Sequence, residues 1–229
     1  MKCVKLKRFF IIICLLGLGA ACSGTDQEDV DSAVADAFIP DGGPNDATDP
    51  DAFAADAAEL DGGSFVCDPP AEEGSLFELQ ADFKYEDNPV SMCRYRGEVI
   101  LIVNVAAACG YTNQFGGLVE LQNTYENQGF TVLGFYCNQF MNQAGSPEQQ
   151  ETVETQYGVN FPVSEIINVN PPDEHPIYTW LKAQPGGDGS IGWNFVKFLV
   201  SRDGELLARW ETSVSPTDST IKTAIEDAL

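Results

Sequence analysis

Glu98-Val99-Ile100-Leu101-Ile102-Val103-Asn104-Val105 runs directly into Ala106-Ala107-Ala108-Cys109-Gly110-Tyr111-Thr112. The first eight residues are a nearly continuous apolar run rich in β-branched side chains, which suits a central strand covered on both faces. Over residues 112–128 the period changes: Phe115, Leu118, Val119, Leu121 and Tyr125 recur close to helical spacing, and Gly129 follows as a stop signal. Residues 130–136 (FTVLGFY) return to a second buried strand. Cys109 therefore falls in a loop that leaves a buried strand and leads into a helix.

The rest of the chain extends this pattern. Residues 146–157 read as a helix with Ser146 as N-cap, Pro147 at the first position and Glu148 and Gln149 in the first turn. Residues 195–200 and 205–210 flank Ser201-Arg202-Asp203-Gly204 as a hairpin, and residues 217–229 read as a closing helix. A right-handed crossover makes the first two strands parallel, and the hairpin adds antiparallel strands to the same sheet. The predicted fold is α/β and thioredoxin-like, a central mixed β-sheet flanked by helices. It places the loop after Val105 at the carboxyl end of a central strand, where open α/β sheets hold their chemistry.

The first 66 residues differ in character. Lys2, Lys5, Lys7 and Arg8 form a basic head, and Phe9 to Ala21 form an uncharged, mostly apolar run of 13 residues, too short for an ordinary membrane-spanning helix. Residues 1–21 thus read as an export signal. The signal ends Leu18-Gly19-Ala20-Ala21-Cys22, which resembles a bacterial lipoprotein signal and makes Cys22 the expected lipidated residue, although Gly19 stands where such signals usually carry Leu. Ordinary cleavage near Ala21, giving a soluble secreted protein, is the alternative. Residues 22–66 are dominated by Asp, Ala, Gly and Pro; from residue 23 they hold 12 of the 35 acidic residues and no Lys or Arg. Such a segment cannot bury enough apolar surface to offset chain entropy, so it reads as a disordered acidic linker. No EF-hand ligand spacing occurs in it, and no metal or resident cofactor is expected. The net charge of −23 makes nucleic acid an unlikely partner. Residues 67–229 are left as the folded domain.

Of seven cysteines, Cys3 and Cys14 leave with the signal and Cys22 would carry lipid, so the domain retains Cys67, Cys93, Cys109 and Cys137. Outside the cytoplasm Cys67 and Cys93 could form a structural bridge, though spacing alone does not establish it. Cys109 sits where the unpaired N–H groups of a helix start stabilise an anion, and thiolate is the nucleophilic form of cysteine. A lone Cys before a helix can equally be a core filler. Thr112 occupies the position that would complete a CxxC pair, which argues against a dithiol exchanger.

At this point a family resemblance enters. Residues 104–112 (NVAAACGYT) resemble the NVAS-x-C-G-x-T segment of glutathione peroxidases; residues 133–140 (LGFYCNQF) resemble LGFPCNQF; residues 193–200 (WNFVKFLV) resemble WNFTKFLV; and His175-Pro176-Ile177-Tyr178 is similar to a further HPLY landmark. The resemblance implies a peroxidase in which a Cys109 thiolate attacks a hydroperoxide and becomes a sulfenic acid, while Gln143, Trp193 and Asn194 donate hydrogen bonds to sulfur and departing oxygen. It implies reduction by an external thiol, such as glutathione or a thioredoxin-like protein, and a role in the response to oxidative stress. His175 reads as structural. Two departures stand out. Tyr136 replaces the usual Pro, and Met141-Asn142-Gln143-Ala144 is one residue shorter than the family's GxQEP. Thr155 stands about where thioredoxin-dependent members carry a resolving Cys, and Cys137 is a poor candidate for that task. Loop 182–191 is short where tetrameric members of the family insert a longer segment, so the resemblance implies a monomer with an open Cys109 face that admits lipid hydroperoxides. The expected setting is the cell envelope, with the lipid on Cys22 holding the enzyme on a membrane. A non-catalytic thioredoxin-like binding module and a Cys-based redox sensor are the competing readings.

Overall fold

Two short antiparallel pairs come first in the chain: β1 (Glu59–Leu60) with β2 (Ser64–Phe65), and β3 (Gln80–Ala81) with β4 (Val90–Ser91). The computed structural model describes residues 59–60 and 64–229. The signal segment, Cys22 and most of the expected linker lie outside the described residues.

The main sheet has four strands, β5 (Val99–Val105), β6 (Phe130–Tyr136), β7 (Lys197–Val200) and β8 (Leu206–Trp210), in the order β6-β5-β7-β8. β5 runs parallel to β6, from Val99 opposite Phe130 to Val105 opposite Tyr136, and antiparallel to β7. β7 and β8 are antiparallel. The sheet is mixed, as the element order predicts.

All seven residues of β5 are buried, and alternation sends them to two cores. Ile100 and Ile102 join Leu133, Phe135, Phe198 and Val200 on one face. Leu101, Val103 and Val105 join Phe115, Leu118 and Ile221 on the other. The helices covering these faces are α1 (Gln114–Tyr125), α2 (Pro147–Tyr157), α3 (Pro176–Ala183) and α4 (Ser219–Ala228). The free edge of β6 is blunted rather than left open. Gly134 N–H donates to the Pro162 carbonyl at 2.9 Å, Tyr136 N–H to Ser164 Oγ at 3.2 Å, and Val132 N–H to Gln122 Oε1 at 2.8 Å.

Several boundaries differ from the sequence expectation. α1 starts at Gln114, after a run of overlapping turns, and gives way to a 3-10 turn over Glu126–Gln128 before Gly129 adopts φ 78°. The strand expected from residue 195 starts at Lys197, because Phe195 takes a left-handed φ of 64°. α4 starts at Ser219, where Asp218 Oδ1 accepts the Thr220 N–H at 2.9 Å. α3 has no counterpart in the sequence reading: it is eight residues long and buries only Ile177, Tyr178 and Leu181, too little periodicity to register. Cys67 and Cys93 form a disulfide with Cα atoms 5.3 Å apart, inside the usual range.

Candidate active site

Cys109 is partly buried in the turn that carries β5 into α1. Thr112 shapes this turn. Its Oγ1 accepts the Cys109 N–H at 3.1 Å and lies 3.0 Å from the Ala106 carbonyl and 2.7 Å from the Cys109 carbonyl, which share its one hydrogen. The Thr112 N–H donates to the Cys109 carbonyl at 3.1 Å. The Tyr111 N–H points back at Cys109 Sγ, 3.5 Å away. The sequence places Cys109 directly before a helix; in the structure residues 110–113 intervene, and the backbone donor reaching the sulfur belongs to the turn. Such a donor binds an anionic sulfur more strongly than a neutral one.

Two backbone hydrogen bonds fasten this turn to the next loop: Ala107 N–H to the Ala144 carbonyl at 3.2 Å, and Ala108 N–H to the Gln143 carbonyl at 3.0 Å. That loop is itself held in an unusual path. Met141 and Asn142 have left-handed φ values of 53° and 55°, a conformation costly for residues with a Cβ. Asn138 Oδ1 accepts the Ala144 N–H at 3.2 Å. Gln143 Oε1 in turn accepts from Asn194 Nδ2 at 2.9 Å. This leaves the Gln143 amide N–H₂ without a partner among the described residues, so it is available as a donor.

Asn194 is fully buried, and its Oδ1 has no partner among the described residues. Trp193 is partly buried, packs on Phe140 with ring centroids 5.8 Å apart, and lines an open groove of about 390 Å³ with Tyr111, Gly192, Glu211, Thr212 and Ser213. Tyr111 is two residues from Cys109. The structure thus joins Cys109, Gln143 and Asn194 through consecutive hydrogen-bonded segments, and brings Trp193 to the Cys109 turn through a shared groove.

Two supporting residues escaped the sequence reading. Asn104, fully buried in β5, accepts the Val196 N–H on Oδ1 at 2.9 Å and donates from Nδ2 to the Trp193 carbonyl at 3.0 Å. It clamps the Trp193-Asn194 segment from one side. Thr212 clamps it from the other, donating from its hydroxyl to the Asn194 carbonyl at 2.6 Å. An amide within an otherwise apolar strand was a usable signal for Asn104. Thr212, in a polar turn, gave none.

The remaining thiols are placed otherwise. Among the described residues the free cysteines are Cys109 and Cys137; Cys137 is fully buried, and burial pushes its thiol up. Thr155 is exposed on α2. His175 caps α3, its Nδ1 accepting the Ile177 N–H at 3.3 Å, and burial pulls its imidazole down, toward the neutral form that can accept.

The chain is also similar to known proteins. The family model for glutathione peroxidase matches residues 76–182. A glutathione peroxidase of Lactococcus lactis subsp. cremoris is 44% identical over 139 residues, 59% of this chain and 88% of the relative. A hydroperoxy fatty acid reductase of Synechocystis sp. is 43% identical over 143 residues, 58% of this chain and 85% of the relative. The crystal structure of Trgpx in apo form aligns with a TM-score of 0.54 at 38% identity, covering 67% of this chain and 95% of that one.

Proposed function

Since the chain belongs to the glutathione peroxidase family and is a thiol-dependent peroxidase, we propose that Cys109 is its peroxidatic residue and that Gln143, Trp193 and Asn194 serve it. The observation that carries this reading is the Gln143 amide, oriented by Asn194 on a loop bonded to the Cys109 turn, with its N–H₂ unspent.

The Cys109 thiolate attacks the terminal oxygen of a hydroperoxide, forming the S–O bond as the O–O bond breaks. The leaving alkoxide or hydroxide takes up a proton, giving Cys109 sulfenic acid and an alcohol or water. The Gln143 amide and the Trp193 indole N–H are donors, as charge shared between sulfur and departing oxygen requires. One external thiol then condenses with the sulfenic acid, releasing water and leaving a mixed disulfide. A second displaces Cys109 as the thiol and departs as the oxidised disulfide. The burial of Cys137 and the presence of Thr155 on α2 favour this one-cysteine cycle.

The preferred substrate is a hydroperoxide with an acyl chain. Tyr111 is 41% and Met141 78% exposed, two residues from Cys109 and from Gln143 respectively, so the two loops of the site each present a large exposed hydrophobic side chain. The Synechocystis relative's name agrees with that chemistry. The enzyme works as a monomer held on the cell envelope by lipid on Cys22, with residues 22–66 as the tether; mass spectrometry for a diacylglycerol adduct on Cys22, abolished in Cys22→Ser, tests the anchor.

The decisive assay is steady-state consumption of hydrogen peroxide and of a fatty acid hydroperoxide, with glutathione and with a thioredoxin-type reductant. Multiple turnovers that vanish in Cys109→Ser are expected, with kcat/KM higher for the acyl substrate. Sulfenic acid trapped on Cys109 without turnover under either reductant would refute the one-cysteine cycle, and equal kcat/KM values would refute the acyl preference.

A further inference from the structure

Lys197 opens β7, opposite Val103 of β5 and Trp210 of β8, and is fully buried. A strand in this position has no packing need for a cation, and desolvating an ammonium is expensive unless it is hydrogen-bonded. Its Nζ donates to the Val214 carbonyl at 2.5 Å and approaches the Thr212 carbonyl at 3.5 Å. Gln114 of α1 donates to the same Thr212 carbonyl at 2.7 Å. Thr212 then reaches the site, its hydroxyl holding the Asn194 carbonyl, and Asn194 holds Gln143. Thr212 also lines the groove beside Trp193, so the Lys197 amine lies beneath the groove wall.

We propose that Lys197 is a positioning residue for the peroxidase reaction: its buried amine fixes the turn at 212–214, and through Thr212 it sets where Asn194 and the Gln143 amide stand. The proposal rests on the reading that Gln143 and Asn194 act in peroxide reduction. Gln114 from α1 shares the Thr212 carbonyl with the amine, and Val103 of β5 and Trp210 of β8 stand opposite Lys197 in the sheet. The carboxylate that acts on it is Glu211, exposed and paired with Arg209 at 3.0 Å. Burial pulls the Lys197 amine down to about 7, so both its forms are populated near neutrality. The ammonium binds carbonyls more strongly than the amine, so the turn loosens as pH rises through that value.

The test is a double-mutant cycle on single-turnover oxidation of Cys109 by hydrogen peroxide, using wild type, Lys197→Met, Gln143→Ala and the double variant. Lys197→Met is expected to slow oxidation about tenfold at pH 6 in the wild-type background and less than twofold in Gln143→Ala, because both changes remove one pathway. The wild-type to Lys197→Met rate ratio should fall between pH 6 and 8. Thr212→Val, which keeps the volume and removes the hydroxyl link, should show the same non-additivity and serves if Lys197→Met folds poorly. A slowed Gln143→Ala with equal Lys197→Met effects in both backgrounds, or a flat rate ratio, overturns the positioning role alone. An unchanged Gln143→Ala rate overturns the site reading and this inference with it.

Discussion

Asn104 is the one polar member of a strand whose other six residues are apolar and buried. Its amide satisfies two backbone groups that the left-handed turn at Phe195 takes out of the sheet ladder. Replacing it with leucine keeps the shape and leaves the Val196 N–H and Trp193 carbonyl without their partner. Denaturant unfolding of Asn104→Leu should show a loss of about 2–6 kcal/mol, at roughly 1–3 kcal/mol for each of the two buried groups left unsatisfied, together with slower Cys109 oxidation. Lys197 makes a second residue-scale prediction. Its folded value of about 7 lies below the unfolded lysine value of about 10.4, so between these the unfolded chain holds a proton that the folded one has released. Stability should therefore rise with pH above about 7, the protonation cost being fully present below it. Cys137 acts in the opposite sense, because burial raises its thiol and stability falls once unfolded thiols ionise near about 8.5. The difference between wild type and Lys197→Met, measured by thermal unfolding from pH 6 to 8.5, isolates the lysine; a pH-independent difference contradicts the assignment. At this scale Cys109 is legible in the sequence through its place after β5, whereas the Thr212 link depends on a turn 103 residues away.

Among the elements, α2 is the most completely specified by its own residues. Ser146 and Gln149 form a reciprocal capping box, Pro147 opens the helix, and Gly158 closes it at φ 65°. Ser146→Ala should lower stability by about 1 kcal/mol in urea titration, the usual worth of such a cap. What the local signals do not reveal is how α2 is fastened. Glu154 accepts from Lys84 Nζ at 2.6 Å and from the Tyr85 and Tyr136 hydroxyls at 3.0 Å each. Burial, together with the Glu154 carboxylate, pushes the Tyr136 phenol well up, keeping it the donor. Tyr136, the residue that departs from the family's proline, thus ties β6 to α2. Lys84→Met leaves Glu154 buried without its cation and should cost about 3 kcal/mol, and adding Glu154→Gln should restore part of that loss. Additive losses in the double variant would show that the two side chains are independent. α3 went unread because its three buried residues span little more than a turn, and its cap, His175, lacks the usual small polar side chain.

Over the whole domain, the Cys67–Cys93 disulfide ties the start of the described fold to the segment just ahead of β5. Their 26-residue separation gives an expected contribution of about 3.5 kcal/mol from restricting the unfolded chain. Cys67→Ser/Cys93→Ser should unfold at correspondingly lower denaturant. Its peroxidase rate should stay near wild type, since Cys93 precedes the amino end of β5 and Cys109 follows its carboxyl end, about 20 Å away along the strand. A large loss of rate in the folded variant would show that the bridge shapes the site. The sequence by itself determined the order of the main strands and helices and the loop that holds Cys109, because periodicity and caps are local properties. Only the tertiary structure decided which donor is left unspent and what holds it in place. The hydrogen bonds from Asn194 to Gln143, Asn104 to Trp193 and Lys197 to Val214 span 51, 89 and 17 residues, and such contacts exist only once the sheet has brought its loops to one edge.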